Sequence, residues 1–270
     1  DGREIPVADD EIEAEMKAQK DQPRFDFDAG VALNRKMPLS VLKEAAKNTS
    51  LPVPLRRDLV QAVWLRAVIL GDLKTADELT PILRDLVPEL ATLLGAYLSA
   101  TTPQTKKFSA IYAWLQFPGL EPVVDIGLGR TSPLQFQTSY RDNWWCGNAY
   151  YLPEEEKENE VTGPPSFTAN NTHELLFLSA SEKENAKQQW STLGALGAAP
   201  NYISQNVVQW ATRTPADPRV PEALHLAVMT TRYGCTDKNS GRWSKAAFDL
   251  LHRKYPNSTW AKKTPYWFNN

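Results

Sequence analysis

The fold is indicated most clearly by two stretches near the C-terminus, Pro221-Glu222-Ala223-Leu224-His225-Leu226-Ala227-Val228 and Ala246-Ala247-Phe248-Asp249-Leu250-Leu251. In both, small and large apolar residues recur at intervals of three and four, the spacing of one helix face. Tyr255-Pro256-Asn257-Ser258 follows the second stretch, and its proline stops that helix before Trp260-Ala261 begins another segment. This end of the chain therefore predicts packed helices.

The same residues resemble the tetratricopeptide-like helical repeats of bacterial cell-envelope proteins. In those repeats a helix ends in Tyr-Pro-x-Ser, and the next helix begins with an aromatic or small residue. The resemblance covers the C-terminal hairpin, and the turn from Gly234 to Arg242 is longer than that of a standard repeat. The resemblance implies a scaffold that presents a concave surface or an edge to another protein, in the bacterial envelope.

Helical periodicity joined by short turns also covers residues 38–117 and resumes near residue 181. A proline or a capping residue precedes most of these segments, namely Pro38, Pro54, Pro88, Pro103 and Ser181. Helices joined by such short turns pack antiparallel to their neighbours. We therefore predict an all-α fold, an array of antiparallel helical hairpins of the α-solenoid type.

A long, aromatic-rich irregular segment interrupts this predicted array and divides the chain into four parts. These are an N-terminal arm over residues 1–30, a helical-hairpin array over 31–117, an irregular insertion over 118–180, and tetratricopeptide-like hairpins with an aromatic tail over 181–270. Irregular connections of this length inside a compact domain are uncommon, and they are usually functional or disordered. The aromatic content of the first half of the insertion argues against disorder there.

Composition and charge exclude some classes of protein. Of the 270 residues, 42% are hydrophobic and 23% are charged. The formal net charge is -2, and a chain without a basic excess gives no reason to expect a nucleic acid partner. No apolar run approaches the roughly 20 residues of a transmembrane helix. Residues from Lys238 to Lys263 are locally basic, which fits either a solvated helix face or a contact with an anionic surface.

The two cysteines, Cys146 and Cys235, lie far apart and each has a glycine neighbour. In an oxidising compartment they would form one disulfide between the irregular segment and the C-terminal helices, whereas two separate buried thiols are the alternative. The chain begins with Asp1, which fits a removed leader or a shortened chain. We predict the disulfide and a periplasmic or extracellular location.

No motif predicts a metal ion, a cofactor or a catalytic triad. His173-Glu174-Leu175-Leu176-Phe177 begins like a zinc-protease helix but has Phe where a second His is needed, and Gly127-Leu128-Gly129-Arg130 lacks the third glycine of a phosphate-binding turn. Asp237 to Gly241 has the alternating oxygens of a calcium loop without its final bidentate acid, so a polar turn is the better interpretation. His225 and His252 have no triad partner at a fixed spacing.

The aromatic clusters are the strongest candidates for an interaction site, because nine Trp is a high number for this length. They comprise Trp144, Trp145, Tyr150 and Tyr151 in the irregular segment and Tyr266, Trp267 and Phe268 in the tail. Such rings can anchor a protein interface, stack on sugar rings, or pack into the protein's own helical array. The tail in particular is predicted to cover the last helices of its own chain or to contact a neighbouring subunit.

Two classes of function remain open from the sequence. The first is a non-enzymatic scaffold or accessory subunit that binds a protein partner in an envelope assembly. The second is a polysaccharide-acting enzyme, with Asp125, Asp142 or the Glu154 cluster as acid and base, or a carbohydrate-binding protein without catalysis. Paired carboxylates about 5–10 Å apart are needed for such an enzyme, and the sequence does not place them together.

Overall fold

The protein is all-helical in the part of the chain that the computed structural model describes, which is residue 23 and residues 25–125, 144–147, 174–232 and 235–267. Eleven α-helices, one π-helical turn and one 3-10 turn lie in these residues, and none of them belongs to a β-strand. The predicted fold class is therefore confirmed as all-α.

Six of the described α-helices precede the irregular segment. They are α1 (Phe27–Val31), α2 (Leu39–Lys47), α3 (Val53–Leu70), α4 (Leu73–Leu86), α5 (Ala91–Ser99) and α6 (Pro103–Gln116), with the π turn at Ala32–Lys36 and the 3-10 turn at Pro88–Leu90. The boundaries follow local signals: Gly71 ends α3 with a φ of 79°, and the Asp72 carboxylate accepts from the Thr75 backbone N–H at the start of α4. These signals explain why the short turns were predictable.

The other five α-helices of the described part of the chain follow the irregular segment. They are α7 (Ala180–Ala195), α8 (Ala199–Arg213), α9 (Val220–Thr230), α10 (Ser240–Lys254) and α11 (Thr259–Lys263). The predicted capping residue Ser181 is wrong by two positions, because the cap of α7 is Ser179, which exchanges hydrogen bonds with Glu182 in a capping box. Both serines fit the Ser-x-x-Glu pattern, so the pattern alone did not separate them.

Helix α3 lies at the centre of the first group of helices. It contacts α2, α4, α6 and α7, and its residues from Leu59 to Val68 are buried without a polar face, as expected for a helix surrounded by others. Within it, the Trp64 indole N–H donates to the Thr80 hydroxyl at 3.0 Å, and the Trp64 ring meets Tyr97 edge to face. Trp64 is fully buried.

Helix α6 joins the helices on either side of the irregular segment, because it packs on both α8 and α9. At this junction the Phe108 ring stacks on Trp210 with centroids 4.8 Å apart. The Arg219 guanidinium donates to Ser109 Oγ at 2.8 Å and to both carboxylate oxygens of Asp217. Burial by itself would raise the pKa of Asp217, but these hydrogen bonds from Arg219 hold it below its ordinary value.

Residues next to two of the predicted boundaries, the end of the arm and the start of the insertion, pack in the core. Phe25 is buried, so the end of the predicted 1–30 arm packs on the helices. After α6, Val124 exchanges two hydrogen bonds with the buried Asn34 side chain, and the buried Arg66 guanidinium donates to the Pro122 and Asn34 carbonyls. Residues 118–125 are therefore part of the packed core, although they are not helical.

Candidate interaction surfaces

The two predicted aromatic clusters have different environments. Trp144 and Trp145 are buried, with 4% and 1% of their surface exposed, whereas Tyr266 is 66% exposed and Trp267 is partly buried. Tyr150, Tyr151 and Phe268 lie outside the described residues. The C-terminal tail thus retains an exposed aromatic side chain, and the described part of the central cluster does not.

Burial of Trp144 and Trp145 depends on the connection between α7 and α8. The Trp145 carbonyl accepts from the Ala199 N–H at 3.0 Å, and the Gly147 N–H donates to the Gly197 carbonyl at 3.0 Å. The disulfide between Cys146 and Cys235 attaches the same residues to the segment that precedes α10. Of the three alternatives for these two Trp residues, the burial favours packing into the protein itself, and it does not support their assignment as an interaction site.

The C-terminal tail is held by Thr264, which is fully buried between two histidines. His252 Nε2 donates to the Thr264 carbonyl at 2.8 Å, because a carbonyl oxygen can only accept. The Thr264 hydroxyl donates to the Trp260 carbonyl at 2.8 Å and lies 2.7 Å from His225 Nδ1. Since a hydroxyl has one proton, His225 Nδ1 is the donor in the second contact.

Burial lowers the pKa of His225 to about 4, with a further contribution from the positive charges of Lys263 and Arg232. The Trp260 ring lies against His225 with centroids 5.1 Å apart. His225 is therefore neutral at physiological pH and acts as a hydrogen-bond donor that fixes the tail. Both histidines have structural partners, which sequence spacing did not reveal because Thr264 is 39 and 12 residues away from them.

Beyond Thr264 the tail lies along α10. The Trp267 indole N–H donates to Ser244 Oγ at 3.2 Å, and Lys245 Nζ lies 5.6 Å from the centre of the Trp267 ring. The tail therefore runs from His252 back towards the start of α10. Trp267 thus contacts α10, one of the last helices of its own chain, at Ser244 and Lys245.

The exposed surface of α10, α11 and the tail is strongly basic. Residues 235–267 contain seven Lys and Arg against two Asp, and all seven cations are exposed. They are Lys238, Arg242, Lys245, Arg253, Lys254, Lys262 and Lys263. Three of them lie over indole rings: Lys263 over Trp260 at 4.5 Å, Arg242 over Trp243 at 5.1 Å, and Lys245 over Trp267. We call these cations and rings, with Tyr266, the C-terminal surface.

A second exposed feature was not predicted. Leu176 and Phe177, immediately before α7, are 86% and 66% exposed, whereas their neighbour Leu178 is buried. An ion pair between Glu174 and Lys183, with a 2.6 Å N–O distance, joins this segment to α7. The sequence signal is a run of four consecutive apolar residues, Leu175 to Leu178, directly before the cap of α7.

The described residues contain few features of a catalytic or metal site. No group of three or more His, Cys, Asp or Glu side chains among them is placed to hold a metal ion. Asp237 to Ser240 forms a polar turn, in which Asp237 Oδ1 accepts from the Asn239 N–H. Of the candidate carboxylates, Asp125 donates its backbone N–H to Asp58, while Asp142 and Glu154 lie outside the described residues.

Comparison with known proteins yields no relative, since the chain matches no family model, no curated protein and no solved structure. None of the described helices combines the length and the apolar character that crossing a membrane requires.

Proposed function

We propose that this protein is a non-enzymatic helical scaffold, or accessory subunit, that binds another protein in a bacterial envelope assembly. The tetratricopeptide-like arrangement of antiparallel hairpins belongs to this proposal, as does a periplasmic or extracellular location. The disulfide supports that location, because such bonds persist in oxidising compartments and are rare in the cytosol.

The observation that carries the proposal is the exposed pair Leu176 and Phe177. Large apolar side chains in adjacent positions on a surface are typical anchors of protein interfaces when a partner pocket covers them. Burying both would contribute about 1.5–3 kcal/mol each. The buried Leu178 and the Glu174–Lys183 ion pair fix the backbone on both sides of the pair, which reduces the entropy lost on binding.

The test is capture of the native partner by a photo-crosslinking residue placed at position 177. We expect a single crosslinked protein from envelope extracts, and we expect Leu176→Asp with Phe177→Asp to abolish its co-purification while the helical circular dichroism stays native. Val53→Asp is the matched control, because Val53 is also apolar and exposed but begins α3. Equal loss of the partner in the control, or undiminished capture by the double variant, would overturn the proposal.

A further inference from the structure

We propose that the C-terminal surface docks on an anionic phospholipid bilayer. The charge of the chain is segregated: residues 235–267 hold seven of its 30 Lys and Arg but two of its 32 Asp and Glu, which leaves 23 cations and 30 acids elsewhere. The whole molecule is therefore slightly acidic, while one end is basic. An extended anionic surface attracts that end and repels the rest, so it would orient the molecule.

The cations are placed to act together. Arg242, Lys245 and Arg253 follow one another at spacings of three and eight, so they lie on one stripe of α10 about 16 Å long. The hydrogen bond between His252 and Thr264 brings the adjacent Lys262 and Lys263 of α11 close to the end of that stripe. Within the described residues, Lys245 is the member of the surface with an ion pair, to Asp249.

The aromatic rings fit the same occupant. Trp and Tyr side chains concentrate at the headgroup level of membranes, where Lys and Arg reach the phosphates while their stems stay on apolar groups. Here Trp260 and Trp267 lie directly beneath Lys263 and Lys245, and Tyr266 is exposed beside them. The C-terminal surface thus contains both kinds of side chain.

The same contacts disfavour a sugar ligand. A sugar ring stacks on the open face of an aromatic ring, but a cation already lies over one face of Trp243, Trp260 and Trp267. A short acidic segment of a protein would contact cations in one small area. The cations of the C-terminal surface are instead spread over α10 and α11. The spread of charge therefore favours an extended anionic surface over a short acidic segment.

Co-sedimentation of the full chain with vesicles tests the inference. The probe vesicles contain about one-third phosphatidylglycerol in phosphatidylcholine, with pure phosphatidylcholine vesicles for comparison. We expect binding to the anionic vesicles alone at low ionic strength. That binding should disappear in about 1 M salt, where charges are screened beyond about 3 Å.

The decisive variant combines Arg242→Gln, Arg253→Gln and Lys262→Gln. Each cation removed should weaken partitioning about fivefold, so the triple variant should bind about a hundredfold more weakly. The matched control makes the same charge change at three exposed cations outside the surface, Lys74→Gln, Arg84→Gln and Lys187→Gln, and it should bind like the unaltered protein.

The inference would be overturned if the protein bound neutral and anionic vesicles equally, or if the two triple variants lost vesicle binding to the same extent. It would also be overturned if the protein bound soluble polyglutamate but not anionic vesicles. The last result would assign the surface to an acidic protein. Failure of the proposed function is separable, because the Leu176→Asp, Phe177→Asp variant should still bind anionic vesicles. Native circular dichroism of each variant excludes unfolding as the cause of lost binding.

Discussion

Acidification should destabilise the protein through His225 in a defined pH range. The folded-state pKa of this residue is about 4, below its ordinary value of 6.5, because the ring is desolvated and faces Lys263 and Arg232, with Glu222 opposing them. In the unfolded chain the ring binds a proton more readily. The stabilisation from neutral His225 is therefore complete above about pH 6.5 and is lost as the pH falls towards about 4.

The size of the effect follows from the gap between the two pKa values. At 1.36 kcal/mol per unit, the shift from 6.5 to about 4 sets a ceiling of about 3 kcal/mol. His225 is only partly buried, so solvent screens its charge, and we expect about 1–2 kcal/mol. Protonation leaves the Nδ1–H bond to Thr264 intact, so the cost comes from charge on a desolvated ring.

Urea unfolding of the protein and of His225→Asn at several pH values measures this contribution. Asn can retain a donor near the Thr264 hydroxyl but does not titrate, so it controls for all other acid effects. Between about pH 7 and 4 the unaltered protein should lose about 1–2 kcal/mol more than the variant. The chain has three histidines, so ring-proton NMR resolves each titration. A His225 pKa at or above its ordinary value, or parallel pH profiles for the two proteins, would refute the reasoning.

Two further variants test how the irregular segment is attached to the helices, and a third tests a glycine within a helix. Replacing Cys146 and Cys235 by Ala should lower the free energy of unfolding by about 4 kcal/mol, because the bond closes a loop of 89 residues; an unchanged denaturant midpoint would contradict this. Gly147→Ala should lower it by about 1–3 kcal/mol, since the added Cβ would lie 2.9 Å from a backbone carbonyl oxygen. In a thermal melt Gly95→Ala, in a helix with open space around the position, should instead be stabilising by up to about 1 kcal/mol.

The helices were predictable because their start and stop signals are local. Gly71 and Asp72 determine the turn between α3 and α4 by a positive φ and a side-chain cap, and both properties belong to the residues themselves. The error at Ser181 shows the limit of such signals. Two overlapping capping patterns are equivalent in sequence, and only the folded structure shows that Ser179 and Glu182 form the hydrogen bonds of the cap.

The environment of the aromatic residues was not predictable in the same way. Trp144 and Trp145 could have been exposed anchors or core residues, since their burial depends on backbone contacts to residues about 50 positions later. Trp267 was expected to cover the last helices, and the structure adds its particular partner, Ser244. The exposure of Leu176 and Phe177 could not be predicted, because an apolar run in a sequence indicates burial.

Helix α10 connects the separate features of the C-terminal part. The disulfide at Cys235 fixes the segment that enters the helix, and the bond from His252 to Thr264 fixes its last turn to the tail. A helix held at both ends keeps its exposed cations at constant spacing, so little backbone entropy is lost when they meet a charged surface. The disulfide and the partly buried histidines thus have a role beyond stability, because they hold in place the side chains on which the proposed bilayer contact depends.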